Sequence, residues 1–207
     1  KTENFQELLA GIAAHVAKSN PADMDALNAS EIEEGKTVAA LITESIAKIG
    51  ENISLRRFAR YEAAEGMVAA YIHGGGKIGV LVSMTAGTEE LGHDVAMHIA
   101  AANPGYLNRE QVPTAENKKK KAVLTEQARN EGKPEKIIEK MVIGRIQKYY
   151  KEVCLVDQEF VKDPDQTVGK LVAAAGASVT EFTRFQLGEG IEKKQEDFAA
   201  EVMAQIK

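Results

Sequence analysis

The segment from His73 to Gly79 is the first candidate for chemistry, because three consecutive glycines lie between a histidine and a lysine. A phosphate-binding loop needs such glycines, but it also needs a following helix whose first N–H groups face the phosphate. The residues after Lys77 are Ile-Gly-Val-Leu-Val, a composition typical of a β-strand. We therefore predict the turn of a β-hairpin. A nucleotide-using enzyme built on this loop is an alternative that binding of GTP to the chain would support.

Histidine, cysteine and carboxylate side chains are the other candidates for a metal site or a nucleophile. His93 and His98 are five residues apart, so a helix would place their side chains about 140° apart. Cys154 lies between two apolar residues and is predicted to be a buried apolar side chain. Glu89 and Glu90 fit the start of a helix. No catalytic constellation, metal site or cofactor is therefore expected, and the sequence favours a binding protein over an enzyme.

The composition of the chain excludes several classes of protein. Its 207 residues are 44% apolar and 28% charged, which is enough to bury a core and keep the surface solvated. No apolar run approaches the ~20 residues of a membrane-spanning helix, and a single cysteine suits a reducing compartment. A membrane protein, a disulfide scaffold and a membrane partner are therefore not expected. The first residue is Lys1, so we expect a processed chain or a fragment.

Charge is distributed unevenly along the chain, whose net charge is −5. Residues 116–151 carry eleven Lys or Arg against five Asp or Glu, including four consecutive lysines at 118–121. Such a run is usually a solvated helix face, but it also suits an acidic protein or RNA. The nearby aromatic residues that could stack on bases are Tyr149 and Tyr150, at the far end. A nucleic-acid partner is therefore not expected, and an RNA-binding or assembly module acting through this segment is the alternative function.

Hydrophobic spacing predicts the elements of the first half of the chain. The predicted helices are residues 5–19, 37–49 and 88–102. Gly50 follows the second helix, where a left-handed cap is favourable. The strand-like runs are 53–61, 67–72 and 78–82. We predict that these three runs form one antiparallel sheet, with the glycine-rich loop joining the second run to the third.

The second half is predicted to contain an inserted helical hairpin. Helices at 116–130 and 134–150 are separated by Glu131-Gly132-Lys133-Pro134, and Pro134 fits the first position of the second helix. The first of these helices has few apolar residues, so the hairpin is predicted to project from the body. The remaining predicted elements are a helix at 167–175, a strand at 178–187 and a closing helix at 191–206.

An internal repeat relates the two halves. Residues 54–66 align without gaps on residues 178–190, with five of 13 positions identical. Each copy follows a predicted helix, alternates like a strand and ends in Glu-Gly, which indicates two related structural units.

The fold class is therefore predicted as α+β, with two related subdomains whose small antiparallel sheets are packed by helices. The predicted N-terminal subdomain is 1–91. The C-terminal subdomain consists of 92–114 and 152–190, interrupted by the antiparallel helical hairpin at 115–151. A C-terminal helical module occupies 191–207.

A series of short motifs runs along the chain in a fixed order. The motifs are Lys48-Ile49-Gly50-Glu51-Asn52-Ile53, Tyr71-Ile72-His73-Gly74, Ile78-Gly79-Val80-Leu81-Val82, Ala96-Met97-His98-Ile99, Gly132-Lys133-Pro134, Arg184-Phe185 and Gly188-Glu189-Gly190-Ile191-Glu192-Lys193. They resemble the elongation factor Ts family, and they cover nearly all of the chain in that family's order, so the resemblance is specific.

The resemblance implies a guanine-nucleotide exchange factor for elongation factor Tu, which performs no covalent chemistry. Such a factor promotes GDP release by distorting the magnesium and phosphate sites of the GTPase. The family fold has two related α+β subdomains and an inserted helical hairpin, as predicted above from the residues. The resemblance also implies a bacterial cytoplasmic protein in preference to one of an organellar matrix, and it leaves a homodimer open.

The resemblance implies partner-binding residues at seven positions. They are Ile49, Gly50, His73, His93, Asp94, Met97 and His98. Ile49-Gly50 would contact the nucleotide domain of the GTPase, and His73 another of its domains. His93-Asp94 departs from the family, which often has a basic residue and then His. The predicted closing helix resembles a module that docks on the nucleotide domain.

The start of the chain is a second departure from the family. The family has an N-terminal helical domain and then a Thr-Asp-Phe-Val-Ala-Lys motif, whose Asp-Phe pair lies beside the magnesium site of the GTPase. Lys1 matches the final Lys of that motif. Binding is therefore expected to survive better than exchange in a chain that begins there.

Overall fold

The computed structural model describes residues 2–190, which divide into two compact units between Glu62 and Ala63. The predicted closing helix at 191–206, within the C-terminal module at 191–207, lies outside the described residues. The α+β class is confirmed, because helices pack on small antiparallel sheets. The subdomain boundaries at residues 91 and 114 stay predictions.

Three helices of the first unit enclose a small core. Its elements are α1 (Glu3–Ser19), α2 (Met24–Ala29), β1 (Glu31–Glu33), β2 (Lys36–Thr37) and α3 (Val38–Ile49). In α1 the buried residues Leu8, Ile12 and Val16 recur every four positions and therefore form one stripe. This stripe packs with Leu27 and Ile42 in the core.

The caps of these helices follow from local chemistry. Asn20 ends α1 in the left-handed conformation at φ 47°, and Pro21 follows it. The Thr37 hydroxyl accepts a hydrogen bond from the Ala40 N–H at the start of α3. Gly50 ends α3 at φ 79°, and its N–H donates to the Ile46 carbonyl over 2.9 Å. The predicted C-terminal ends of both helices are confirmed, while α1 begins two residues earlier than predicted and α3 one residue later.

The second unit contains the larger sheet and the helical hairpin. Its elements are β3 (Met67–His73), β4 (Ile78–Met84), α4 (Glu89–Ala102), α5 (Thr114–Asn130), α6 (Glu135–Val153), β5 (Glu159–Phe160), β6 (Asp163–Thr167), α7 (Val168–Ala174) and β7 (Val179–Gln186), with short 3₁₀ turns at Arg109–Gln111 and Leu155–Asp157. The predicted helices at 88–102 and 167–175 and the predicted strand at 178–187 are confirmed.

The predicted third strand of the main sheet was wrong. The sheet has the antiparallel order β3-β4-β7, so its third strand is residues 179–186 and not residues 53–61. Residues 53–61 form no regular element, and Ile53, Leu55 and Phe58 pack against the core of the first unit. An alternating pattern predicts which side chains face a core, but it does not identify the strand with which a segment pairs. The edge of β4 that β3 leaves free is paired with β7.

The core of the second unit lies between this sheet and α4. Val80, Val82 and Met84 alternate along β4 and face Val95 and Ile99 of the helix. The backbones approach closely at Gly92, where an added Cβ would lie 2.9 Å from the Ala69 Cβ on β3. This contact sets the spacing of α4 from the sheet.

The helical hairpin is formed by α5 and α6, as predicted, but Pro134 is the N-cap of α6 with an extended backbone and not its first helical residue. Its base is fixed by polar contacts with the body. The Tyr106 and Tyr149 hydroxyls both donate to the Glu116 carboxylate. Arg109 donates to the Gln147 amide oxygen of α6 over 2.8 Å and is itself held by two hydrogen bonds of 2.7 and 2.8 Å to Asp157.

The structure extends the repeat well beyond the aligned 13 residues. The order α1, β1-β2, α3 and residues 54–66 is repeated as α4, β5-β6, α7 and residues 178–190, and the hairpin is inserted into the second copy. We call residues 2–66 the first copy and residues 85–190 the second copy. The His-x-Ala-x-x-Asn-Pro sequence at 15–21 recurs at 98–104, which the sequence analysis missed.

Candidate partner-binding surface

The glycine-rich loop is the turn of the β3-β4 hairpin, as predicted. Its ends are held by the pairing of His73 with Ile78 and by a 3.0 Å hydrogen bond from the Lys77 N–H to the His73 carbonyl. Gly74, Gly75 and Gly76 have φ values of 60°, 64° and 84°, a region that L-residues with side chains rarely adopt. The glycines are therefore required by this turn.

Tyr71 connects this turn to α4. Its hydroxyl lies 3.1 Å from the His73 Nδ1. Its ring meets the ring of His93 edge to face, with 5.1 Å between the centroids. Strand alternation explains the first contact, because residues two apart on β3 face the same side, and α4 covers that side of the sheet.

Asp94 extends the contacts to the turn between β5 and β6. Its Oδ1 lies 2.5 Å from the Lys162 Nζ and 3.8 Å from the His93 Nδ1. The Asp94 side chain is 18% exposed, whereas those of His93 and Lys162 are 55% and 51% exposed. The polar side chains of three elements therefore form one surface. We call Tyr71, His73, His93, Asp94 and Lys162 the Tyr71 cluster.

His98 lies inside the second unit, not on its surface. Its side chain is fully buried, and its Nδ1 accepts a 3.2 Å hydrogen bond from the Val161 N–H. The Nε2 therefore carries the proton and donates to the Gln158 Oε1 over 2.9 Å. Burial lowers the pKa of His98, which favours the neutral ring. The half-buried Met97 precedes it on α4.

Ile49 and Gly50 belong to the first unit. Ile49 is half-buried and Gly50 is exposed at the end of α3. Ile49 also lines a groove between α1, β1 and α3, together with Leu8, Gly11 and Leu41. The end of α3 therefore presents both apolar surface and an exposed backbone.

The four consecutive lysines of α5, residues 118–121, are not equivalent. Lys118, Lys119 and Lys121 are exposed, whereas the Lys120 Nζ lies 4.9 Å from the centroid of the Tyr149 ring. The Tyr149 hydroxyl donates to Glu116. Burial is the larger cause, and this hydrogen bond the second, of a raised pKa of Tyr149. The aromatic residues of this region are thus engaged within the protein, and this observation does not favour base stacking.

The described residues 2–190 contain no group of three or more His, Cys, Asp or Glu that could hold a metal ion. Cys154 is buried, as predicted, and burial raises the pKa of its thiol to about 11. In the same part of the chain, the helices are too short or too polar to cross a membrane.

Comparisons with known proteins identify the family. The family model described as elongation factor Ts matches residues 1–189. A relative named elongation factor Ts, from Alkalilimnicola ehrlichii, is 49% identical over all 207 residues, which cover 70% of that relative. The chain belongs to the elongation factor Ts family. It is therefore related to the elongation factors of protein synthesis.

The structure divides the seven residues that the sequence predicts for partner binding into three groups. His73, His93 and Asp94 come together in the Tyr71 cluster. Met97 and His98 lie deeper on the same helix, and Ile49 and Gly50 end α3 in the first unit.

Sequence reasoning missed two members of the cluster. Tyr71 could have been found, because it precedes His73 by two residues on a predicted strand and must face the same side. Lys162 could not, because it meets Asp94 from a turn 68 residues away.

Proposed function

We propose that this protein is a guanine-nucleotide exchange factor for elongation factor Tu and performs no covalent chemistry. The observation that carries the proposal is the match to the elongation factor Ts family over residues 1–189. The 49% identity to a bacterial member over the full chain supports the same general role and a bacterial cytoplasmic protein.

The mechanism rests on thermodynamic coupling between two ligands of the GTPase. If the factor weakens GDP binding, GDP must weaken binding of the factor by the same ratio. Binding energy from surfaces far from the nucleotide is then used to distort the magnesium and phosphate sites. Rebinding of GTP at high concentration displaces the factor.

Two surfaces of the chain supply that binding energy in this proposal. The first is the end of α3, where the half-buried Ile49 offers apolar area and Gly50 offers an exposed backbone. The second is the Tyr71 cluster, whose exposed His73 and His93 offer ring nitrogens to polar groups of the GTPase. His98 contributes indirectly, because its bond to the Val161 N–H holds the turn that carries Lys162.

The proposal is tested by measuring binding of the chain to elongation factor Tu by calorimetry, with and without saturating GDP. Binding is expected in both cases and is expected to be at least about tenfold weaker with GDP, a coupling of about 1.4 kcal/mol. Lys119→Glu is a control, because Lys119 is exposed on the hairpin and should leave both values unchanged. Equal affinities with and without GDP would contradict exchange, and absence of binding would contradict the partner.

A further inference from the structure

Tyr71 touches two of the residues that the proposed function places at the interface. Its hydroxyl meets His73 at 3.1 Å, and its ring meets His93 at 5.1 Å between centroids. The tyrosine itself is half-buried, whereas both histidines are exposed. A half-buried side chain between two exposed ones is placed to orient them, because packing limits its own rotamers.

The hydrogen bond to His73 has a preferred direction. A phenolic hydroxyl is a far stronger acid than the N–H of a neutral imidazole, so the hydroxyl donates and the Nδ1 accepts. The proton of the neutral His73 ring then resides on Nε2. Within residues 2–190 no protein group bonds to that nitrogen, and the side chain is exposed. His73 therefore presents an N–H donor to solvent.

The close packing of α4 on the sheet accompanies the contact between the Tyr71 and His93 rings. Gly92 lets the helix approach β3 so closely that an added Cβ would lie 2.5 Å from the Met67 Cε. His93 is the next residue, and its ring contacts the Tyr71 ring across this close approach, with 5.1 Å between the centroids. The Asp94 Oδ1 lies 3.8 Å from the His93 Nδ1, and the same oxygen is bonded by Lys162.

We propose that Tyr71 is a positioning residue for partner binding, which fixes His73 in the Nε2–H tautomer and orients His93 through ring packing. The group that His73 recognises is a hydrogen-bond acceptor on the partner, a backbone carbonyl or a carboxylate. This inference rests on the proposed function for the identity of the partner. The tautomer of His73 is a property of the free chain and does not depend on it.

The first test is the imidazole ¹⁵N spectrum of the free chain at a pH where the histidines are neutral. In the unmodified chain, His73 should show the Nε2–H tautomer, and His73→Ala identifies its signals among the four histidines. Tyr71→Phe removes the hydroxyl and keeps the ring, so the two tautomers of His73 should become mixed. Tyr150→Phe is the matched control, since it removes a hydroxyl bonded to Asn117 instead. An unchanged tautomer in Tyr71→Phe would overturn the proposal.

The second test is a double-mutant cycle on binding to elongation factor Tu. Tyr71→Phe should weaken binding by about three- to tenfold, the range expected for one neutral hydrogen bond. In the His73→Ala background the same substitution should have almost no further effect, because the oriented group is gone. Equal losses in both backgrounds would show that Tyr71 acts without His73, and no loss in either would show that the tautomer is irrelevant to binding. Either result overturns the proposal.

Failure of the proposed function gives a different result. In that case the unmodified chain would not bind elongation factor Tu at all. The His73 tautomer would still respond to Tyr71→Phe, which would retain the positioning role and remove the partner. The two claims are therefore separated by the binding of the unmodified chain.

Discussion

Each copy of the repeat contains a histidine that bonds the residue before a small β-hairpin, but this histidine is half-buried in the first copy and fully buried in the second. In the first copy, the His15 Nε2 bonds the Ser30 hydroxyl at 2.7 Å, and Ser30 immediately precedes β1. In the second copy, the His98 Nε2 bonds the Gln158 amide oxygen at 2.9 Å, and Gln158 immediately precedes β5. Each histidine thus ties its helix to the start of a small β-hairpin.

Further contacts are repeated at equivalent positions. The Val38 N–H donates to the Ser30 carbonyl and the Val168 N–H to the Gln158 carbonyl, both over 3.0 Å. Arg60 donates to the Ala17 carbonyl. Its repeat counterpart Arg184 donates to the Ala100 carbonyl, again three residues before a left-handed Asn. These shared contacts specify the common fold.

The differences between the copies lie where partner contacts are proposed. Helix α3 has 12 residues and α7 has 7, and the longer helix carries Ile49 at its end. The helical hairpin is inserted into the second copy alone, and the Tyr71 cluster joins His93, Asp94 and Lys162 of the second copy to Tyr71 and His73 of β3. The comparison therefore separates positions that maintain the repeated fold from additions that are available for function.

The largest expected effect concerns the paired histidines. His98→Ala should lower the free energy of unfolding by about 3 kcal/mol, because it opens a cavity and removes the partner of the Val161 N–H and of the Gln158 Oε1. His15→Ala should cost about 1 kcal/mol, because His15 is only half-buried. Urea unfolding followed by circular dichroism measures both, and hydrogen exchange assigns each loss to a unit. Equal losses would mean that the two copies are energetically alike.

The next effect concerns how each helix packs. Gly92→Ala should destabilise the protein by about 1–3 kcal/mol, because the added methyl overlaps Ala69 and Met67. The equivalent position in α1 is Leu9, which is 49% exposed, so Leu9→Ala should stay within about 0.5 kcal/mol. The same unfolding experiment applies, and a tolerated Gly92→Ala would show that α4 can move away from the sheet.

The pH dependence of the free energy of unfolding should distinguish His98 from His15. The pKa of His98 is lowered by burial below its ordinary value of 6.5, so below that pH the unfolded chain binds more protons there than the folded chain. Stability should therefore fall as the pH drops below about 6.5 and level off below the folded pKa. Urea midpoints across this range should lose that slope in His98→Gln and keep it in His15→Gln. Retention of the slope in both variants would assign it to other groups.

The smallest effect on the folded chain concerns the end of α3. Ile49→Ala should reduce the rate of nucleotide exchange by about three- to tenfold, because it removes apolar area from a proposed contact, while stability changes by less than about 1 kcal/mol. Ile137→Ala is the matched control, because Ile137 is an exposed isoleucine of the hairpin at 48%. Stopped-flow exchange assays compare the two. Similar rates for both variants would remove α3 from the proposed interface.

Local chemistry explains which elements were predictable from the sequence. Asn20-Pro21, Gly50 and the three glycines after His73 each decide the backbone over a few residues, and those boundaries are confirmed. The pairs β1-β2 and β5-β6 were missed because strands of two to five residues show too little periodicity. The wrong placement of residues 53–61 in the sheet arose because alternation does not identify a pairing partner.

The candidate site shows the same limit. Short-range relations, such as Tyr71 with His73, could be deduced from strand alternation. The bond between Asp94 and Lys162 joins residues 68 apart, and the burial of His98 depends on a turn more than 60 residues away. Both follow from tertiary packing, which a single sequence without pairing information does not determine.

The most direct measurement is the release of fluorescent GDP from elongation factor Tu. It compares this chain with a version extended upstream to include the Asp-Phe pair of the family motif. We expect the extended chain to accelerate release strongly and this chain to bind the GTPase with a smaller acceleration. If neither chain accelerates release or binds the GTPase, the proposed exchange function is wrong.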